Sequence, residues 1–298
     1  MPASSPRLRG LLYATGAPLC WSIGGVVMRS VDASGWDIVF WRSGTHAIVL
    51  GVALGLLFGS RTMRDIRYAG WSGWISAALL AGVFTFHVLA IANTTVANVL
   101  ILQSTSPIFV AVFAALVLGE RVDRRSAILL ALALAGLAPV LAASFGTTTG
   151  AASPLGDALA LAVSFCSTIN FLVIRRARAV NLIPATVFAG ALAAVVAWPF
   201  ASPFALSATD IGLLIGLGIV QNVCGVSLFY AALRRLPAAE VGLLCLLEPA
   251  LGPIWVWLFV GEEPAVLTML GGAAIVGALL IKGTLDLRYP APAKALPA

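Results

Sequence analysis

Ten long apolar runs fill the chain, separated by short polar or basic stretches: Leu11–Met28, Ile38–Phe58, Trp71–Ala92, Val96–Leu118, Ser126–Phe145, Ala158–Ile174, Ile183–Phe200, Ile211–Leu233, Val241–Val260 and Val266–Ile281. Each is close to the roughly 20 residues that one helical crossing of a bilayer requires. The runs are continuous and sprinkled with Gly and Ala, whereas membrane β-strands alternate over roughly ten residues. The pattern predicts an all-α integral membrane protein with ten transmembrane helices. Arg7 and Arg9 before the first run imitate a signal peptide, but the run is long and ends at Arg29 without a small-residue cleavage site, so it is expected to remain as the first helix.

Composition agrees with the pattern. The 298 residues are 60% hydrophobic and 10% charged, with a mean hydropathy of +1.02, far from the roughly 25% charge of a soluble domain. The net charge of +6 could suggest a nucleic-acid partner, but its distribution speaks for a membrane. With a cytoplasmic N-terminus, 16 of the 18 Lys and Arg residues fall in loops on one side, only Arg29 on the other, and Arg42 inside a span. That asymmetry is the positive-inside signature. It predicts a multi-pass protein of the inner (plasma) membrane with both termini cytoplasmic, lipid as its surroundings and no nucleic acid. Cys20, Cys166, Cys224 and Cys245 lie far apart within apolar runs, so no disulfide framework or metal spacing is legible.

An internal repeat runs through the chain. Pro249 and Gly261-Glu262 lie 142 positions after Pro107 and Gly119-Glu120. The fourth and ninth runs are therefore equivalents, with the boundary in the small-residue stretch from Thr147 to Pro154. This predicts a first five-helix repeat over 1–146, a second over 150–288 and a cytoplasmic tail over 289–298. An odd number of helices per repeat inverts the second half relative to the first, the arrangement of secondary transporters with a midplane site.

Several short stretches resemble one family. Leu19-Cys20-Trp21-Ser22-Ile23-Gly24, Phe40-Trp41-Arg42 and Pro107…Gly119-Glu120-Arg121 are similar to the first half of an EamA-type protein of the drug/metabolite transporter superfamily. Leu247-Glu248-Pro249, Trp257-Leu258-Phe259-Val260-Gly261-Glu262 and Leu270-Gly271-Gly272-Ala273-Ala274-Ile275 are similar to that family's last two helices. The resemblance implies a ten-helix metabolite exporter, most similar to bacterial exporters of aromatic and other neutral amino acids. Two departures are Ser22, where Gly commonly follows the Trp, and the additional acid Glu263; the first bears on the cavity shape at Trp21.

The candidate site follows from polar groups inside apolar runs. Arg42 and Glu248 are the only charges there, and an intramembrane charge faces the bundle interior or water and finds a partner. Glu248 reads either as an anchor for an ammonium or proton, or as a tie for backbone freed by the kinks at Pro249 and Pro253. Arg42 reads either as a side chain snorkelling to the outer interface with Asp32 and Asp37 nearby, or, more sharply, as gating the outer mouth or meeting a carboxylate cargo. Asn98, Gln103, Gln221 and Asn222 are amides at depth, hence interhelical glue or cavity lining. His46 and His87 invite a proton relay, or serve as neutral packing donors. Trp21, Phe165 and Trp255 can wall a ring-bearing cargo, while Trp71, Trp74 and Trp198 suit the interfacial belt. The Gly-Glu pairs read as helix stops with acids near a helix N-terminus.

These residues make up the expected substrate set of Trp21, His87, Asn98, Gln103, Phe165, Asn222, Glu248 and Trp255, with Arg42 at the outer mouth. The expected function is secondary export of small metabolites, amino acids or their relatives, by a chain working as a monomer. No cofactor and no metal are expected, and no G-x-x-x-x-G-K-[ST] loop is present to couple ATP. Efflux of hydrophobic cations, with Glu248 as counter-charge, is the alternative. A membrane enzyme acting on lipid is the remote one, since no acid–base–metal cluster is legible.

Overall fold

In a bilayer every backbone polar group must be satisfied within the segment, so a continuous apolar run becomes a helix. The computed structural model bears this out; it describes residues 6–106, 108–110, 112–113, 124–146, 153–176, 182–236 and 238–288. The described residues form helices and no strand, as α1 (Pro6–Ser22), α2 (Gly24–Ser30), α3 (Gly35–Phe58), α4 (Ser60–Asn93), α5 (Val96–Gln103), α6 (Arg124–Gly146), α7 (Pro154–Arg176), α8 (Ile183–Ala197), α9 (Ala208–Leu217), α10 (Val226–Leu233), α11 (Ala238–Cys245), α12 (Leu247–Val260) and α13 (Val266–Arg288). A π-helical stretch, Gly218–Gly225, joins α9 to α10. Seven helices are long and apolar enough to cross a membrane, counting α1–α2, α9–α10 and α11–α12 each as one, and shorter apolar helices run over Val96–Val110, Ala131–Ala142 and Val266–Ile281. The expected linker positions 147–152, the first Gly119-Glu120 pair with Arg121, Pro107 and the tail over 289–298 lie outside the described residues.

The surface is inverted relative to a soluble protein. Leu56, Trp71 and Phe259 are 82%, 83% and 72% exposed, a surface suited to lipid, while His46, Ser43 and Asn98 are sealed inside. α4 lies along α7 and α8, α3 along α8, α6 along α13, and α1 against α10 and α12.

Several expected single helices are broken, each for a local reason. The first is interrupted at Ile23, where the Ser22 hydroxyl donates to the Leu19 carbonyl. The third begins earlier than expected: Arg61, Arg64 and Arg67 are on helix, separated from the membrane part by a kink at Gly70 (φ 49°). The fourth stops at Gln103 and the ninth at Cys245. Proline lacks an N–H and its ring clashes with the carbonyl four residues back; Pro107 and Pro249 place that defect at Gln103 and Cys245. The two breaks share one geometry, Ser104 with φ −64°, ψ −8° and Leu246, 142 positions later, with φ −66°, ψ −9°. In the first, Ser106 and Ser164 hydroxyls donate to the Gln103 carbonyl at 3.0 and 3.3 Å. Gly261 (φ 77°) ends α12 in the left-handed conformation with its N–H on Val256 and Trp257 carbonyls, the expected helix stop.

Close approach at the core depends on Gly24, where a Cβ would strike the Gln221 carboxamide, whereas at Gly212 it would meet open space. In a helix, Gly→Ala otherwise stabilises by about 1 kcal/mol, and overpacking costs about 1–3 kcal/mol. Gly24→Ala should therefore lower the thermal unfolding midpoint while Gly212→Ala raises or preserves it. Equal shifts for both would show that Gln221 yields at no cost.

Candidate functional site

The π-helical stretch builds the centre. A π turn widens the helix and frequently marks functional sites; here it buries two successive amides, Gln221 and Asn222, each 2% exposed. Gln221 is a hub between α1 and α3. Its Nε2 donates to the Trp21 carbonyl at 3.0 Å, its own carbonyl accepts the Trp21 indole N–H at 2.9 Å, and its Oε1 accepts Arg42 Nε at 2.8 Å.

Arg42 is 4% exposed, which speaks against a side chain snorkelling to the interface. Its guanidinium points into the bundle, where Nη1 reaches the Phe84 carbonyl at 3.5 Å and the group sits 5.9 Å from the Phe84 ring centroid. Asp37 is not its partner. That carboxylate closes a capping box with Ser34 at the start of α3 and accepts the Ser202 N–H at 2.6 Å.

Around Arg42 stand further polar groups from other elements. His87 on α4 meets the Gln103 amide, with Nδ1 3.0 Å from Nε2 and 3.1 Å from Oε1. His46 on α3 has Nε2 3.3 Å from the Thr186 hydroxyl and its ring edge-on to Phe84 at 5.4 Å. Glu248, in the first turn of α12 just past the Leu246 break, is half-buried and within Coulombic reach of Arg42. Three buried polar atoms in this region have no hydrogen-bond partner among the described residues: His46 Nδ1, His87 Nε2 and Asn222 Nδ2. Buried donors and acceptors are rarely left unpaired, so these three atoms carry unused hydrogen-bonding capacity among the described residues.

The expected aromatic walls divide. Trp21 is half-buried, packed on Phe229 at 5.6 Å. Trp255 donates its indole N–H to Ser22 Oγ at 3.2 Å, so both indoles flank the break in the first span. Phe165 is 44% exposed and packs on Phe113, outside this group. Asn98 also lies elsewhere. Its Nδ2 donates to Asp157 Oδ1 at 3.3 Å and its Oδ1 accepts from Thr268 at 2.6 Å.

That second cluster seals the end of the molecule where α2, the 94–95 loop and the turn after α12 meet. Glu262 pairs with Arg29 at 2.9 Å and accepts the Val96 N–H at 2.7 Å, so it caps α5 rather than the helix that follows it in sequence. Arg29 also donates to the Thr94 carbonyl at 2.6 Å. Sequence reasoning missed Asp157, Thr94 and Thr268 in this cluster. Among the described residues no three His, Cys, Asp or Glu side chains converge on a metal-binding position.

A bundle of apolar helices with broken helices and charged groups at its centre has the form of a multi-pass membrane transporter. The chain belongs to the EamA-like transporter family, whose model matches residues 8–142 and again 154–283. It is 27% identical over 281 residues to the pseudopaline exporter CntI of Pseudomonas aeruginosa, covering 91% of this chain and 94% of that protein. It is 31% identical over 222 residues to the threonine/homoserine exporter RhtA of Escherichia coli K12, covering 73% of this chain and 72% of that one. A solved crystal structure shares its fold with a TM-score of 0.66 at 21% identity, over 97% of this chain and 99% of that chain.

Proposed function

We propose that the chain is a secondary exporter of small zwitterionic metabolites, neutral amino acids including aromatic ones, working by alternating access in the inner membrane. The observation that carries this reading is the buried Arg42 guanidinium inside the bundle, with the Glu248 carboxylate within its Coulombic reach. A zwitterion presents a carboxylate to the guanidinium and an ammonium to the carboxylate, so neither protein charge is left uncompensated in a low-dielectric site. A hydrophobic cation would meet the buried Arg42 charge, which disfavours the drug-efflux alternative. The indole N–H groups of Trp21 and Trp255 are already bonded within the protein, leaving ring faces as apolar wall for a side chain. The names of both exporter relatives support outward movement of a small molecule.

Ten helices in two inverted repeats remain the architecture we propose. The matching breaks at Ser104 and Leu246 and the two separate family matches support it. The loop charges support cytoplasmic termini. Cysteines introduced at Asp210 should then react with an impermeant thiol reagent outside intact cells, and cysteines at Arg64, Arg176 and Arg235 should not. Outside labelling at Arg176 would overturn the inverted topology.

The direct test is flux of radiolabelled amino acids and organic cations in proteoliposomes of the purified protein. Amino-acid flux supports the reading. Movement of a hydrophobic cation without any amino-acid flux would replace it.

A further inference from the structure

Three segments meet at Gln221, and its carboxamide has one workable orientation there. The Trp21 carbonyl can only accept and the Arg42 Nε–H can only donate. Exchanging the two ends of the amide would set donor against donor at Arg42 and acceptor against acceptor at Trp21. The main chain of the same residue is held as well, because the Trp21 indole N–H donates to the Gln221 carbonyl at 2.9 Å. Trp21 and Gln221, 200 residues apart, thus grip each other side chain to main chain in both directions. Two glycines make room for this clasp. A Cβ at Gly24 would strike the Gln221 carboxamide, and one at Gly225 would strike the Trp21 indole nitrogen. Glycine weakens a helix relative to alanine, so both segments give up local stability where the clasp forms.

We propose that Gln221 is the positioning residue for Arg42: it aims the guanidinium at the carboxylate of the cargo and leaves the positive charge available to it. A guanidinium holds a carboxylate by two parallel N–H groups, and the pair on Nη1 and Nη2 forms one such fork. With Nε bonded to Gln221 at 2.8 Å, that outer fork is the edge presented to a ligand, and its Nη1 meets the Phe84 carbonyl only at 3.5 Å. The chemistry of the partner matters as much as its place. A carboxylate in the position of this amide would form an ion pair with Arg42, and the cargo would then meet a compensated charge. The amide holds the same N–H without a charge of its own. Glu248 lies within Coulombic reach of Arg42 but forms no ion pair with it among the described residues. The clasp also ties the aim of Arg42 to the first span, two residues before its break at Ile23.

The inference rests on the amino-acid reading above and deepens it. Equilibrium binding of radiolabelled phenylalanine, and of phenylethylamine, which lacks the carboxylate, is measured on the purified full chain in lipid nanodiscs. Gln221→Met keeps the length of the side chain and loses both of its hydrogen bonds. It should weaken phenylalanine about tenfold and leave phenylethylamine nearly unchanged. Gln221→Glu keeps the shape and the bond to Nε but adds the compensating charge. Phenylalanine should weaken at least as much and phenylethylamine should tighten, so that the preference for the carboxylate collapses or inverts. In an Arg42→Met background Gln221→Met should shift the ratio of the two compounds no further, since both residues act through one bond. Equal losses of both compounds in the two Gln221 variants would make Gln221 a packing element and overturn the proposal.

A second readout needs no cargo. In protein carrying isotope-labelled arginine, the Arg42 Nε–H resonance, assigned by its absence from Arg42→Met, should resist exchange with solvent in the wild type and in Gln221→Glu and lose that protection in Gln221→Met. A resonance equally protected in Gln221→Met overturns the proposal whatever the cargo is. A wild type that binds neither compound, with protection still lost in Gln221→Met, removes the amino-acid reading and keeps the positioning of Arg42 by Gln221.

Discussion

Replacing Arg42 by methionine should abolish amino-acid export, by about 100-fold or more, without unfolding the protein. A hydrogen bond to a charged group is worth about 1.5–3 kcal/mol and each 1.4 kcal/mol is tenfold in equilibrium. Loss of the guanidinium's charge-assisted bond to a cargo carboxylate accounts for most of that factor. Folding should respond in the other direction or not at all, since an intramembrane arginine costs about 2.5–3.5 kcal/mol on insertion scales and methionine fills the stem volume. Arg42→Lys keeps the charge but loses the planar fork that bonds Gln221 and the Phe84 carbonyl, so export about tenfold below wild type is expected. Exchange of radiolabelled substrate in proteoliposomes reads the first effect and thermal unfolding the second. Wild-type export by Arg42→Met would reduce the residue to a packing element between α3 and the π-helical stretch.

The helices themselves were legible because a bilayer leaves an apolar run no other backbone solution. The breaks at Gln103 and Cys245 were half legible: Pro107 and Pro249 announce the lost hydrogen bonds, but not that each helix would stop and restart. The π-helical stretch carries no such mark, and it is what turns Gln221 and Asn222 inward together. The inward turn of Arg42 was not legible, because depth along a helix says nothing about azimuth. α3 is apolar nearly all round, so the 3.6-residue period that would have pointed the guanidinium inward is absent. Asn98 was read as buried, as it is, but its partners, Asp157 and Thr268, were not legible because they come from more than 50 and more than 150 residues away. The unusual four-residue spacing from Ser153 to Asp157 was in plain sight, and comparison with Ser34–Asp37 and Ser207–Asp210 is the signal that finds it.

On the proposed reading, Glu248 is the group that recognises the ammonium of the cargo. It sits in the first turn of α12, where a helix dipole favours a carboxylate for purely structural reasons, so loss of activity alone would not separate the two roles. The discriminating measurement compares an amino acid with its 2-hydroxy-acid analogue, which keeps the carboxylate and side chain and lacks the ammonium. In the wild type the analogue leaves Glu248 unpaired in the closed site, a penalty of about 1–3 kcal/mol or more for a charged group, hence a preference of about tenfold to 100-fold for the amino acid. Glu248→Gln keeps size and hydrogen bonding but removes the charge. It should lower amino-acid flux by about 100-fold while leaving the hydroxy acid nearly untouched, so that the preference collapses or inverts. A structural Glu248 gives another result: the Gln variant unfolds at lower temperature and loses flux of both compounds in the same proportion. That outcome would leave Arg42 as the sole charged contact and shift the cargo class from zwitterions to simple carboxylates.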